Sequence, residues 1–296
     1  MGDQEMEDLL RPIYQERASQ SNTMGILILE KKRPVSPVTD NFDVILFVIV
    51  KEPEEEWYVK HYEFENKSAA MHIVSEDLLQ SWIDTSSYRR AVEWVINGSI
   101  IFERNEYVTE LKDRLRTFPQ ETRDLKKGIE FAKLIRSYTE AKDLYDSEQY
   151  LDSFSQMVRS LHYLARLAII EKGFHPEVTV WNQVRRIEPE IYKLYEELIE
   201  SHEPTDKRIQ LMIIAVEHAV SKRSLSSARH LLQLMDEREA PWTFGELKNH
   251  PDIQNYILDL SSMIEYLVEN NIIEVVLQET KGTGIYHRTY KPVDRL

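Results

Sequence analysis

The chain has 296 residues, no cysteine and a formal net charge of −14, with a hydrophobic share of 42% and a charged share of 30%. The missing cysteines exclude disulfide frameworks, zinc ribbons, iron–sulfur clusters and thiol nucleophiles, which leaves a hard cation on carboxylates as the natural metal chemistry. The negative excess repels polyanions, so binding to DNA or RNA requires a local basic patch set against the global field.

The length allows two or three domains, each with its own core. No apolar run approaches the ~20 residues that span a bilayer, and the first residues, MGDQEMEDLL, lack a basic segment followed by an apolar one. The expectation is a cytoplasmic protein, neither membrane-bound nor secreted. With eight glycines and neither a G-x-x-x-x-G-K-[ST] loop nor a G-x-G-x-x-G turn, P-loop and Rossmann sites are excluded as well.

Met6, Leu9, Leu10, Ile13 and Tyr14 recur at helical spacing over Asp3–Ser19, behind an acidic first turn that suits the positive end of a helix dipole. Two short apolar runs follow, Met24–Leu29 and Val44–Val50, which read as buried strands. Between them lies a basic loop, Lys31, Lys32 and Arg33, and then Asp40, Asn41 and Asp43 at the mouth of the second strand. Trp57–Phe64 and Ser68–Val74 read as a hairpin turning at Glu65-Asn66-Lys67, and Ser75 caps a helix with Glu76 and Asp77 in its first turn. These connections are too short for regular βαβ crossovers, and a small mixed sheet with packed helices accounts for them. His61 and His72 fall on neighbouring strands, where they could pair as ligands or serve as ordinary satisfied side chains.

From Tyr88 the pattern is helical: Tyr88–Ile96, Arg104–Thr117, Glu121–Asp146, Glu148–Lys172, Pro176–Arg186, Glu188–Ser201 and Thr205–Ser221. Asn97-Gly98, Phe118-Pro119, Gly173 and Glu203-Pro204 break it. The stripes Phe131, Leu134, Ile135, Tyr138 and Met157, Leu161, Leu164, Ala168 read as bundle core. Arg159, His162 and Arg166 share one face at i, i+3 and i+7. Over the last 72 residues come helices at Leu225–Met235, Thr243–Asn249 and Ile253–Glu269, then a hairpin of Ile272–Gln278 and Ile285–Lys291 around Gly282-Thr283-Gly284. That order is a winged helix-turn-helix. The predicted fold is therefore α+β: a mixed-sheet domain over 1–85, a helical bundle over 86–224 and a winged-helix module over 225–296.

Nearly the whole chain resembles the nucleotidyltransferase-like proteins of Bacillus and relatives, within the DNA polymerase β-like nucleotidyltransferase superfamily. In active members a Gly-Ser is followed by D-x-D on the next strand and a third carboxylate on a later one, and the three acids hold two Mg²⁺ ions that clamp a triphosphate. The resemblance sets Gly25, followed by Ile26, at the motif's glycine and Asn41-Phe42-Asp43 at D-x-D, with Asp40 one residue earlier. It implies Asp40 and Asp43 as catalytic and Mg²⁺-binding residues and Gly25 as a nucleotide-binding one. From their charge, Lys31, Lys32 and Arg33 are expected to contact phosphates, in a cleft between the first domain and the bundle.

The first acid of D-x-D has become Asn, and Ser68–Val74 contains no acid. Each Mg²⁺ demands near-octahedral oxygen geometry beside a highly charged ligand, so one firm carboxylate does not hold two ions. The leading expectation is a degenerate nucleotidyltransferase-like protein that binds a nucleotide or a protein partner. The alternatives are an active Mg²⁺-dependent enzyme moving a nucleoside monophosphate to a small molecule or protein, and a winged-helix transcriptional regulator. Against the last, Pro241–Leu296 holds five basic and eight acidic residues, a net of −3, and the recognition helix Ile253–Glu269 has no Lys or Arg. The charge favours a protein partner or self-association through the winged helix over nucleic acid.

Overall fold

The computed structural model describes residues 3–64 and 66–293. Two compact units form, Met1–Pro119 with His175–Val178, and Gln120–Phe174 with Thr179–Leu296.

The first unit contains α1 (Asp3–Ala18), β1 (Thr23–Glu30), β2 (Val44–Val50), β3 (Trp57–Phe64), β4 (Lys67–Ser75), α2 (Glu76–Thr85), α3 (Arg89–Asn97), β5 (Ser99–Glu103) and α4 (Tyr107–Thr117). The sheet order is β3-β4-β2-β1-β5, with β2 and β4 parallel and the other pairs antiparallel. All seven residues of β2 are buried, as an unbroken VILFVIV run requires when both faces of a strand are covered. On one face Leu10 and Tyr14 of α1 pack over Ile26, Leu46, Val48 and Met71. The other face joins Leu27, Ile45, Phe47 and Ala70 to Leu79, Trp82, Trp94 and Val108 of the three later helices. Ser75 caps α2 by accepting the Leu78 amide at 3.1 Å. Glu65, assigned to the hairpin turn, and the side chain of Met6, assigned to the first apolar stripe, lie outside the described residues.

Gly25 lies inside β1, opposite Ile49 and Glu103. A Cβ there would stand 2.0 Å from Cγ2 of buried Val108, so the glycine lets α4 approach the sheet. Its visible duty is packing, and it does not sit in the loop where a phosphate-cradling glycine is expected. Gly25→Ala is expected to destabilise the protein by about 1–3 kcal/mol, the range for overpacking a filled core. Urea unfolding checks this, and an unchanged midpoint would contradict it.

The first unit does not end at Thr85. Ser99–Glu103 reverses at Gly98 and pairs with the free edge of β1, Gly25 opposite Glu103 and Ile26 opposite Phe102. α3 and α4 thus belong to the sheet domain and not to the bundle. His175–Val178 joins the same unit: the His175 ring stacks on Phe118 at 4.1 Å, Arg89 donates to the Glu177 carbonyl at 2.9 Å, and the Val178 amide donates to Glu93.

The second unit contains α5 (Gln120–Asp146), α6 (Tyr150–Glu171), α7 (Val180–Ile187), α8 (Pro189–Glu200), α9 (Thr205–Ser227), α10 (Arg229–Met235), β6 (Trp242–Thr243), α11 (Phe244–Asn249), α12 (Leu260–Glu269), β7 (Ile273–Glu279) and β8 (Tyr286–Pro292). One core runs from Phe131, Leu134 and Leu164 through Val220 to Met263, Leu267 and Tyr290, so the bundle and the winged helix pack together as one unit. α9 runs unbroken to Ser227, and Arg136 of α5 pairs with Asp259, just before α12, at 2.7 Å. The long helix expected over Ile253–Glu269 is in fact a 3-10 turn, Pro251–Tyr256, followed by α12. Thr243 is the expected N-cap, in a full capping box with Glu246. A hydrogen bond from Arg238, reinforced by the amide and hydroxyl of Thr243, lowers the Glu246 carboxyl to about 2.

Candidate functional site

The expected catalytic residues lie on the loop from β1 to β2 and at its junction with the sheet. Lys31 reaches back to Asp43 at 3.1 Å and to the Asn41 carbonyl at 2.9 Å. The other oxygen of Asp43 accepts the Ser68 amide at 2.8 Å. That amide bond, with further help from Lys31, holds the carboxyl below its ordinary range against the opposing effect of burial. Asp40 and Asn41 adopt left-handed backbone, φ 50° and 67°, a conformation that Asn and Asp tolerate better than other side chains. Asn41 is structural: its side-chain oxygen accepts the Ser36 amide at 3.0 Å.

Asp40 pairs with Arg90 of α3 at 2.8 Å, and the same guanidinium donates to the Pro37 carbonyl at 2.8 Å. One turn later, Trp94 donates its indole N–H to the Val38 carbonyl at 2.8 Å. Arg90 and Trp94 together pin the loop to the helix beside it. Lys32 and Arg33 are exposed and take part in no ion pair among the described residues.

Beneath the clamp the sheet face is filled with rings. Trp94 is fully buried and packs against His72 at 4.6 Å, Phe47 at 5.4 Å and Tyr88 at 5.6 Å. Trp57, Trp82 and Tyr88 form a second set at 4.8 to 5.4 Å. His72 accepts the Trp57 indole N–H at 3.3 Å, and burial lowers its pKa to about 4. His61 and His72 are not cross-strand partners, since Ala70 stands opposite His61 and Val59 opposite His72. His61 instead packs on Phe42 at 4.7 Å.

The loop and its neighbours do not form the oxygen cage that two Mg²⁺ ions need. Asp43 is committed to Lys31 and Ser68, and Asp40 to Arg90. Ser68, Ala70 and His72, alternating along the adjoining β4 from the position opposite Asp43, supply no carboxylate. Among the described residues no three His, Asp or Glu side chains cluster as metal ligands.

Comparison with known proteins places the whole architecture. Residues 6–123 match the nucleotidyltransferase-like family, 124–223 the YgxA-like substrate binding domain and 229–292 a helix-turn-helix domain. The uncharacterized protein YgxA of Bacillus subtilis (strain 168) is 47% identical over 285 residues, covering 96% of this chain and 97% of the relative. The chain belongs to the YgxA family of nucleotidyltransferase-like proteins. The crystal structure of a nucleotidyltransferase-like protein from Exiguobacterium sibiricum 255-15 is similar with a TM-score of 0.81 and 42% identity, covering 98% of this chain and all of that one.

The helix-turn-helix match removes the support for setting nucleic acid aside. The charges remain as read: α12 carries no Lys or Arg, and its Glu265 is paired with the wing residue Arg288 at 3.1 Å. No described helix is long and apolar enough to cross a membrane.

Sequence reasoning missed Arg90 and Trp94, although their i, i+4 spacing on one helix is visible in the sequence. What it lacked was any sign that the loop fifty residues earlier lies under that helix.

Proposed function

We propose that this YgxA-family protein does not carry out nucleotidyl transfer at its αβ domain and works by binding a ligand or a partner. The observation that carries this reading is the clamp of Arg90 and Trp94 on the loop that bears Asp40 and Asp43. A two-metal mechanism needs carboxylates free to hold both ions against a triphosphate. Here each acid already has a cationic partner, and the neighbouring strand adds no acid. The match of residues 124–223 to a substrate binding domain supports a retained ligand.

The test is incubation of the full chain with labelled ATP, GTP, CTP and UTP in Mg²⁺ or Mn²⁺. The expected result is no label on the protein and no transfer product. Incorporation that Asp43→Ala abolishes would restore the alternative of an active enzyme using Asp40 and Asp43.

The helix-turn-helix match favours a second reading, a regulator whose winged helix contacts duplex DNA. That reading requires a mobility shift at low ionic strength whose affinity falls steeply with salt. No shift at low salt leaves the protein-partner role.

A further inference from the structure

α9 is apolar on two opposite sides. Met212, Val216 and Val220 belong to the core of the second unit. At 3.6 residues per turn, Leu211, Ile214, His218, Ser221 and Leu225 lie about 180° away from them, and all five are exposed. Leu211, Ile214 and Leu225 show 51%, 63% and 44% of their surface to solvent. A helix that is apolar on both sides is expected to be covered on both, yet no described residue covers this outer stripe.

The stripe itself indicates what would cover it. Its residues follow one another at intervals of 3, 4, 3 and 4, the repeat of a helix that packs along another helix. None of the five carries a permanent charge, although 30% of the chain is charged, and depletion of charge marks the centre of a protein interface. Beside the stripe lies a groove. α8 and α9 form a hairpin, held near its turn by Arg208, which donates to the Leu198 carbonyl at 2.8 Å, and at its open end by the ion pair of Arg223 with Glu188. Between the two helices opens a cavity of about 230 Å³ whose walls include Ile191, Leu194, Ala215, His218, Ala219 and Lys222. The last four stand at i, i+3, i+4 and i+7, the four corners of a hole that receives one side chain from a facing helix. The two alanines keep that hole open.

We propose that α9 is a dimerisation surface, covered by α9 of a second copy running antiparallel about a two-fold axis. Ile214 of each chain enters the hole of the other. The same register brings Leu211 over the next hole of the second copy, made by His218, Ser221, Lys222 and Leu225. One register thus fills both holes on both chains, which is the self-complementarity that a two-fold interface requires. The stripe is about 21 Å long and, with α8, about 20 Å wide. That area, on the order of 400 Å² per partner, is half of the standard ~800 Å², so the dimer should assemble reversibly at micromolar concentration. The inference goes beyond the binding role proposed above and does not depend on it.

Sedimentation velocity of the full chain, from low to high micromolar concentration, tests it. The mass should rise from the 35.1 kDa of one chain towards twice that value. Ile214→Glu, at an exposed position, should weaken association at least a hundredfold with the melting temperature of the monomer unchanged, and Leu211→Glu should do the same. Because the chain has no cysteine, a single introduced thiol reports the register. Ala215→Cys, beside the axis, should be joined to its counterpart by a short bismaleimide, whereas Leu225→Cys, about 26 Å from its counterpart along the helix, should not. A monomer at every concentration overturns the proposal, as does a dimer that survives both glutamate substitutions; its loss in Leu277→Glu, at an exposed position of the wing, would then move self-association there. Crosslinking of Leu225→Cys alone overturns the antiparallel register.

Discussion

Trp94→Ala is expected to lower the stability of the protein by about 3–5 kcal/mol, the range for removing a large aromatic side chain from a filled core. Trp94 is fully buried and touches Phe47, His72 and Tyr88, so no nearby group can collapse into the space without opening another cavity. The substitution also strips the Val38 carbonyl of its donor, a further loss on the order of 1 kcal/mol. Against a typical total of about 5–15 kcal/mol, the combined effect removes a large fraction of the stability. Trp94→Phe separates the two contributions, keeping most of the ring volume and losing only the N–H.

With Phe at 94, the loop should loosen before the core does. The amides of Asn41 and Phe42, bonded to Ser36 and Thr39 within the loop, should exchange faster while those of β2 remain protected. Urea unfolding followed by circular dichroism and hydrogen exchange of residues 36–42 are the measurements. A loss under about 1 kcal/mol for Trp94→Ala would mean that the indole is not the keystone of the clamp.

What was legible in the sequence follows from how local each signal is. β2 declared itself because seven consecutive apolar residues have no use on a half-exposed strand. The stripes of α5 and α6 and the Thr243 cap are readable within a few turns of chain. β5 was not legible: Ser99–Glu103 is short, follows an Asn-Gly break and gains its identity only by pairing with β1, more than seventy residues earlier. The single core of the second unit was hidden in the same way, since Arg136 and Asp259 are too far apart in sequence for either to announce the other. At the candidate site, the absent acids could be read directly from Asn41 and from β4. The reason Asp40 stays in place could not, because Arg90 and Trp94 act across fifty residues or more.

His72 should make the protein lose stability as the pH falls from about 6.5 towards 4. Burial holds its folded-state pKa near 4 against an ordinary value of 6.5, so the unfolded chain takes up the proton first. The depressed pKa leaves stability intact above 6.5, erodes it through the window and removes the full increment below 4. That increment is about 3 kcal/mol for a shift of this size. The charges near the ring divide: Asp40 favours its protonation, whereas His61 and Arg90 oppose it. Other buried acids act with the opposite sign, because burial raises the carboxyls of Glu93 and Glu171 and their protonation favours the folded state on acidification. Comparison with His72→Phe isolates the imidazole from them. The variant loses the acceptor for Trp57, whose half-exposed indole can turn to water, so its stability near pH 7 should change little compared with the acid effect. Urea midpoints at pH 7.0, 6.0, 5.0 and 4.5 should fall more steeply for the native protein than for His72→Phe, and the difference should grow by about 1.4 kcal/mol per pH unit below 6.5. Parallel slopes for the two proteins would show that the ring takes up its proton in the folded state without cost, and that the wall of Trp57, Trp94 and Tyr88 around it is open to water.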